Sequence, residues 1–491
     1  MFVEIPNQKE FVGSASPFPE LLVSRFTTAY SALAFPRDLG QSLDLCDTPR
    51  LHSFAWNTGT REERLPNWEN RIFDLISLQD ALHYSDIYFN EIHPVFGILD
   101  QTYFLKVCHT AWSLRKMPID LEATICGAVA LGSLFSPNST PWVKEACVVE
   151  QAKDILVTNL SDAPCQHSLK FVLAWLLRAI YLRCTTRPEL SWMATCNAMH
   201  IAEVIGLHQP FCRMDALRER PREFVLTEAA YRRRAFWIAL SLNRLFSFEY
   251  GRSPIQLDLA RQPLPEVTED SDLTAEFVNL CQLLPRYRQD GRKEREEEDL
   301  AASLQHLAEY KVQKPFLVLL KADICFSIFR KMRFLHMDLV RPQTAIITST
   351  IRTGLEKARE LSHSSSKWWN VVSVPFHSVC TLIAMDNPAS LALLMNAMEA
   401  LRAVADDYDT HLAREALQTA EHLLNGCQQK KLEQAMWVGQ ALSANPRGKS
   451  AAQRDEEPLA RPGSQTCSGF DWPTEDTAGL MEVFFDWGVT Q

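Results

Sequence analysis

The chain has 491 residues, 46% hydrophobic and 22% charged, with a formal net charge of -10. That length can bury one large core or two smaller ones, and the acidic balance lacks the basic block or stripe of a chain that holds DNA unaided. Seventeen glycines are few for this size and favour helices with short, mostly proline-marked breaks.

Thirteen cysteines are spread singly, and no two stand as Cys-x-x-Cys. Most fall inside apolar helical runs, the distribution of free thiols in a reducing compartment. The opening Met-Phe-Val-Glu-Ile-Pro-Asn is no signal peptide. No stretch reaches about 18 consecutive apolar residues, so no membrane span is expected and the chain reads as intracellular.

In chain order, residues 1–70 carry Pro6, Pro17, Pro19, Pro36, Pro49 and Pro66. They read as an irregular, linker-like region. The helical body is expected over residues 71–443. Ser77 with Asp80 has capping-box spacing and opens a helix that His93-Pro94 should end. Helices follow over 102–114, 121–135, 142–160 and 167–184, the last almost continuously apolar and therefore central. Another runs from Leu190 to Leu207.

The stretch from Glu228 to Asp258 organises the rest. Phe236, Leu240, Asn243 and Phe246 recur at helical steps, as do Trp237, Leu240, Arg244 and Phe248. Two overlapping apolar stripes place this helix inside a helical core. Gly251 and then Pro254 form its stop. Arg232, Arg233 and Arg234 mark the entrance and Arg244 interrupts the apolar part. A guanidinium at Arg244 must find a carboxylate or backbone carbonyls, because an unpaired buried charge costs roughly several kcal/mol.

Beyond Pro265 come a short helix over 273–284 and a mixed charge run over 286–299, a solvated loop or exposed helix start. A long helical stretch over 300–337 is interrupted or kinked at Pro315. Helices are then expected over 344–361, through His377 and Cys380, and over 391–404, 411–427 and 430–442. From Ser443 the composition becomes that of a flexible linker, 444–468. The tail 469–491 holds Asp471, Glu475, Asp476, Glu482 and Asp486 without Lys or Arg, spaced among Phe470, Trp472, Phe484, Phe485 and Trp487. Acidic residues with spaced aromatics have the composition of a transcriptional activation segment that takes up a coactivator groove. The alternative is a C-terminal helix that docks back on the body.

Arg232-Arg233-Arg234-Ala-Phe236-Trp237, Leu-Asn243-Arg244-Leu-Phe246-Ser and Gly251-Arg252-Ser-Pro254-Ile together resemble the signature segment of the fungal-specific transcription factor domain, the middle homology region of zinc binuclear cluster regulators. The family more often shows Asp at Asn243 and Pro at Ser253. Three further segments fit: Tyr88-Phe89 through His93-Pro94 to Leu99, the small-residue helix ending in Gly206-Leu207-His208, and Trp368-Trp369 before a helix closing on Asp386-x-Pro388. The resemblance covers roughly 48–442. It implies an all-α fold and a nuclear, pathway-specific transcriptional regulator. Expected partners are coactivator or mediator-type proteins through the tail and a second copy in a homodimer. DNA contact is expected only through a zinc cluster or a partner.

The six-cysteine cluster itself does not occur in the sequence, so zinc belongs to the expectation only if such a module lies upstream. Otherwise the chain is a co-regulator without its own DNA reader, or a helical scaffold outside transcription. No Walker, nucleophile-elbow, zincin or dinucleotide-loop motif occurs, so no enzyme is proposed. His93, the His200/His208 pair and the His377/Cys380 pair lack the further ligands a zinc site needs and read as packed residues.

Overall fold

The computed structural model describes residues 2–4, 24–26, 31, 39, 43, 69–137, 141–162, 168–185, 187, 189–210, 222–257, 262–267, 271–285 and 293–443. Two short strands, β1 (Phe2–Glu4) and β2 (Ser24–Phe26), pair antiparallel with Phe2 opposite Phe26. This ribbon falls in the region expected to be irregular. Everything else of regular structure among the described residues is helical.

The helices are α1 (Ile72–Leu75), α2 (Leu78–Glu91), α3 (His93–Phe96), α4 (Gln101–Leu114), α5 (Ile119–Leu134), α6 (Glu145–Asp162), α7 (Leu169–Arg183), α8 (Glu189–Val204) and α9 (Arg222–Glu249). They continue with α10 (Thr274–Gln282), α11 (Lys293–Glu309), α12 (Pro315–Phe334), α13 (Arg341–His363), α14 (Asn370–Met385), α15 (Pro388–Leu391), α16 (Leu394–Tyr408) and α17 (His411–Ser443). The chain divides into two units, 1–429 and 430–491. Of the second, only the last part of α17 is described, and there Leu432, Met436, Trp437, Val438 and Leu442 are exposed.

Local chemistry sets several helix starts. The Ser77 hydroxyl accepts from the Asp80 amide while the Asp80 carboxylate accepts from the Ser77 amide, both at 3.1 Å, the reciprocal pairing of a capping box. Asp100 caps α4 and Ser168 caps α7 more simply, each side chain accepting from the amide three residues on, Tyr103 and Phe171. His93-Pro94 does more than stop α2. Proline sits in the first turn of α3, where its missing N–H is no loss. Pro315 likewise starts α12 rather than kinking a longer helix. Of the charge run, residues 293–299 form the start of α11, exposed at Lys293, Glu294, Arg295 and Glu298. Two expected C-terminal helices are one, because Gly426 to Lys430 carries no proline and continues α17.

In the first unit, α5 is buried on all sides from Leu121 to Ser133 and packs against α2, α6 and α7. Gly132 makes the close crossing possible, since a Cβ there would lie 1.8 Å from the Tyr84 carbonyl oxygen. The α7–α8 pair follows, then α9, which touches α7, α8, α10 and α12. Helices α12, α13, α14 and α16 form the next packed group. No single described helix is long and apolar enough to cross a membrane.

Candidate functional site

The signature helix α9 presents its arginines to carbonyls and carboxylates 27 to 40 residues away. Arg232, buried, donates to the Ile205 carbonyl just past α8. Arg233 reaches the exposed Glu266 carboxylate at 3.1 Å. Arg234 is the deepest anchor. Its two terminal nitrogens grip both carboxylate oxygens of Asp272, Nη1 also donates to Thr274 Oγ1 at 3.1 Å, and Nη2 to the Glu266 carbonyl at 2.7 Å. Both side chains of this ion pair are 7% exposed. A fork geometry of this kind suits a planar guanidinium and no lysine. Arg244 donates to the Leu284 carbonyl at the end of α10.

The polar residues in the apolar half of α9 pin what precedes and follows it. Asn243 Nδ2 donates to Thr195 Oγ1 on α8, and its Oδ1 accepts from the Ile255 amide at 2.8 Å. An amide supplies donor and acceptor together, which a carboxylate cannot. Gly251 adopts φ 64°, the Arg252 amide reaches back to the Ser247 carbonyl, and the helix stops in a glycine C-cap. Arg252 then stacks over the Trp192 ring at 4.7 Å, and Trp192 Nε1 donates to Ser247 Oγ. Pro254 is half-buried in the segment that follows. Trp237, half-buried, donates to the Pro263 carbonyl. Phe236 is buried against α9's neighbours.

The other motif segments meet the signature. The Leu273 amide donates to the Pro94 carbonyl at 2.8 Å, and a Cβ on Gly97 would lie 2.4 Å from Arg234 Nη1. Phe96 packs on Phe277 at 5.2 Å and on Trp368 at 6.1 Å. Trp368 stacks on Phe316 at 4.0 Å and meets Phe135, while Trp369 meets Phe316 and Phe246. Four segments far apart in sequence thus share one aromatic and guanidinium hub. Trp192, Asp272 and Thr274 are members that sequence reasoning missed. An isolated Asp in an acidic turn carries no periodic signal, and the capping-like Asp272-x-Thr274 pair was the only local hint.

The hub offers little reactivity. Burial and then the Arg234 charge hold His93 down to about 4, so it stays neutral and packs edge-on against Phe89. Burial pushes the Cys108, Cys281 and Cys325 thiols up to about 12, far from the thiolate a nucleophile needs. His200 is exposed and His208 buried. Among the described residues no three His, Cys, Asp or Glu side chains converge as metal ligands. The activation-tail residues Phe470, Trp472, Phe484, Phe485 and Trp487, and the linker before them, lie outside the described residues.

The distinctive side chains of this multi-helical body hold its helices to one another. Residues 85–323 match the fungal specific transcription factor domain. The chain is 35% identical over 422 residues to Protein RDR1 of Saccharomyces cerevisiae, covering 85% of this chain and 76% of that protein. It is 31% identical over 474 residues to Transcription factor kojR of Aspergillus oryzae, covering 94% and 83%. A shorter similarity, 27% over 172 residues, joins it to the pigment biosynthesis transcriptional activator pigB of Monascus ruber, covering 34% of this chain and 29% of that protein. The chain belongs to the fungal-specific transcription factor domain family and is a transcriptional regulator of fungal type, not an enzyme.

Proposed function

We propose that the chain is a nuclear, pathway-specific regulator whose helical body controls an acidic-aromatic activation tail at 469–491. The family membership carries this reading, and the tail's composition supports it: five carboxylates, no basic residue and seven large apolar side chains in its last 22 residues, counted from Phe470. The charges keep Phe484, Phe485 and Trp487 in water until a coactivator or mediator-type groove accepts them as a short amphipathic helix. The described surface of α17 with Leu432, Met436 and Leu442 exposed is the candidate face for a homodimer. DNA contact enters through a zinc cluster of the family's type or through a partner, because these 491 residues contain no Cys-x-x-Cys pair.

The test fuses residues 444–491 to an unrelated DNA-binding domain upstream of a reporter. Activation is expected, and replacing Phe484, Phe485 and Trp487 with alanine should abolish it. A reporter that stays silent with the aromatics intact removes the activation tail from the proposal.

A further inference from the structure

The last three turns of α17 are apolar without being buried. Every residue from Leu432 to Ser443 is exposed, and Leu432, Met436, Trp437, Val438 and Leu442 are each 57% to 75% exposed. Apolar side chains scattered singly over a surface are ordinary, but a run of them on one helix end is a patch. No charged residue occurs from Gln434 to Ser443, so nothing in the patch selects an acidic or a basic partner. At 3.6 residues per turn, Leu432, Ala435, Met436, Gly439 and Leu442 share about 120° of the circumference, with Trp437 on roughly the opposite side.

Gly439 sits inside this stripe. Glycine weakens a helix interior, and a Cβ at 439 would meet nothing within 4 Å. Packing within the chain therefore gives no reason for it. Close approach of a second helix does, because small residues at a crossing let two axes come to about 8 Å. The residue order adds a second observation. Leu432 and Leu442, Gln434 and Gln440, Ala435 and Gly439, and Met436 and Val438 stand at equal distances on either side of Trp437. Read backwards, the stretch keeps its pattern of large, polar and small residues. Glu433 and Ala441 depart from it, and both lie off the stripe.

We propose that this stretch of α17 pairs with the same stretch of a second copy, antiparallel, about a two-fold axis at the level of Trp437. An isologous contact of this kind sets one surface against itself. Leu432 then lies opposite Leu442 of the other copy at each end of the seam. Ala435 lies opposite Gly439 at the crossing, where the two helices come closest. A parallel coil would need its apolar repeat to run over about three or four heptads. The next positions upstream are instead Gln428 and Asn425. The proposal deepens the homodimer reading above and rests on it, by giving the pair an orientation, a register and its contact residues.

The test uses the purified full chain. Sedimentation equilibrium should show a dimer. A seam of one helix pair is a small interface, under about 1,200 Å² in total, so dissociation at roughly micromolar concentration is expected. Met436→Arg sets like charges side by side across the axis and should weaken the dimer about tenfold or more. Gly439→Leu suits a lone helix better than glycine does but blocks the crossing, and should weaken the dimer as well. Trp437→Ser, on the outer side, should leave it unchanged. All three positions are exposed, so the diluted variants should keep the wild-type circular dichroism. Orientation is read from Leu432→Cys and Leu442→Cys on separately tagged copies. Mixed under mild oxidation they should join by a disulfide, and neither should join to itself beyond the wild-type background. In the antiparallel pair like positions are about 15 Å apart along the axis, out of a disulfide's reach. No dimer up to about 100 µM, where small specific interfaces still form, overturns the proposal. So does undiminished association by Met436→Arg or Gly439→Leu, equal loss for Trp437→Ser, or self-joining of either cysteine variant. A dimer that fails these variant tests removes this seam and leaves the homodimer reading standing, whereas absence of any dimer removes both.

Discussion

Replacing Arg234 should damage the body far more than replacing its neighbour Arg233. Both are arginines of one motif, and both face carboxylates of the same 262–274 segment. Arg234 makes four hydrogen bonds to Asp272, Thr274 and the Glu266 carbonyl from a buried position. Removing it takes the Arg234 guanidinium away from the buried Asp272 carboxylate, which keeps the Thr274 amide, and breaking such a buried pair costs about 3–5 kcal/mol. Arg233 pairs with a Glu266 side chain that is 86% exposed, and exposed pairs contribute roughly 0–1 kcal/mol. Urea unfolding of the full chain, followed by far-ultraviolet circular dichroism, compares Arg234→Met with Arg233→Met. The double variant Arg234→Met with Asp272→Leu should recover most of the loss, because it deletes the stranded carboxylate as well. If Arg234→Met and Arg233→Met unfold within about 0.5 kcal/mol of each other, the normal scatter of surface substitutions, the buried clamp is not what holds the segment to α9.

Gly132→Ala should destabilise by about 2–4 kcal/mol, as overpacking against backbone does, since its Cβ has no room beside Tyr84; Gly251→Ala meets nothing within 4 Å and should cost only the left-handed strain, about 1–2 kcal/mol. Thermal unfolding separates them. Glu122, fully buried, accepts from Asn70 Nδ2, the Arg71 and Ile72 amides and Gln151 Nε2. Glu122→Gln turns an NH₂ toward these donors and should cost about 2–3 kcal/mol, seen as a lower urea midpoint. His93 is held near 4 in the fold against roughly 6.5 unfolded. Its neutral form therefore contributes stability that is complete above about pH 6.5 and is lost as pH falls toward 4. Between pH 7 and 5 the wild type should lose about 1 kcal/mol more than His93→Asn, after allowance for partial exposure; parallel urea midpoints across that range refute the assignment.

The amino-acid order alone determined the helical class, the capping box at Ser77, the stop at Gly251 and the need of Arg244 for partners. Those properties are local. Periodicity, a cap and a glycine stop act within a few residues of themselves, where spacing along the chain is also spacing in space. Which partners the arginines find was decided by the tertiary structure. Nothing near Arg234 names Asp272, 38 residues away, and nothing near Asn243 names Thr195. The merged α17 and the proline-started α12 show the same division at smaller scale, since Pro315 is compatible with either a kink or a first turn until packing chooses. Long-range pairing depends on how helices of similar composition settle against each other. That choice is made by the summed burial and polar satisfaction of the whole core, a quantity no single stretch of sequence contains.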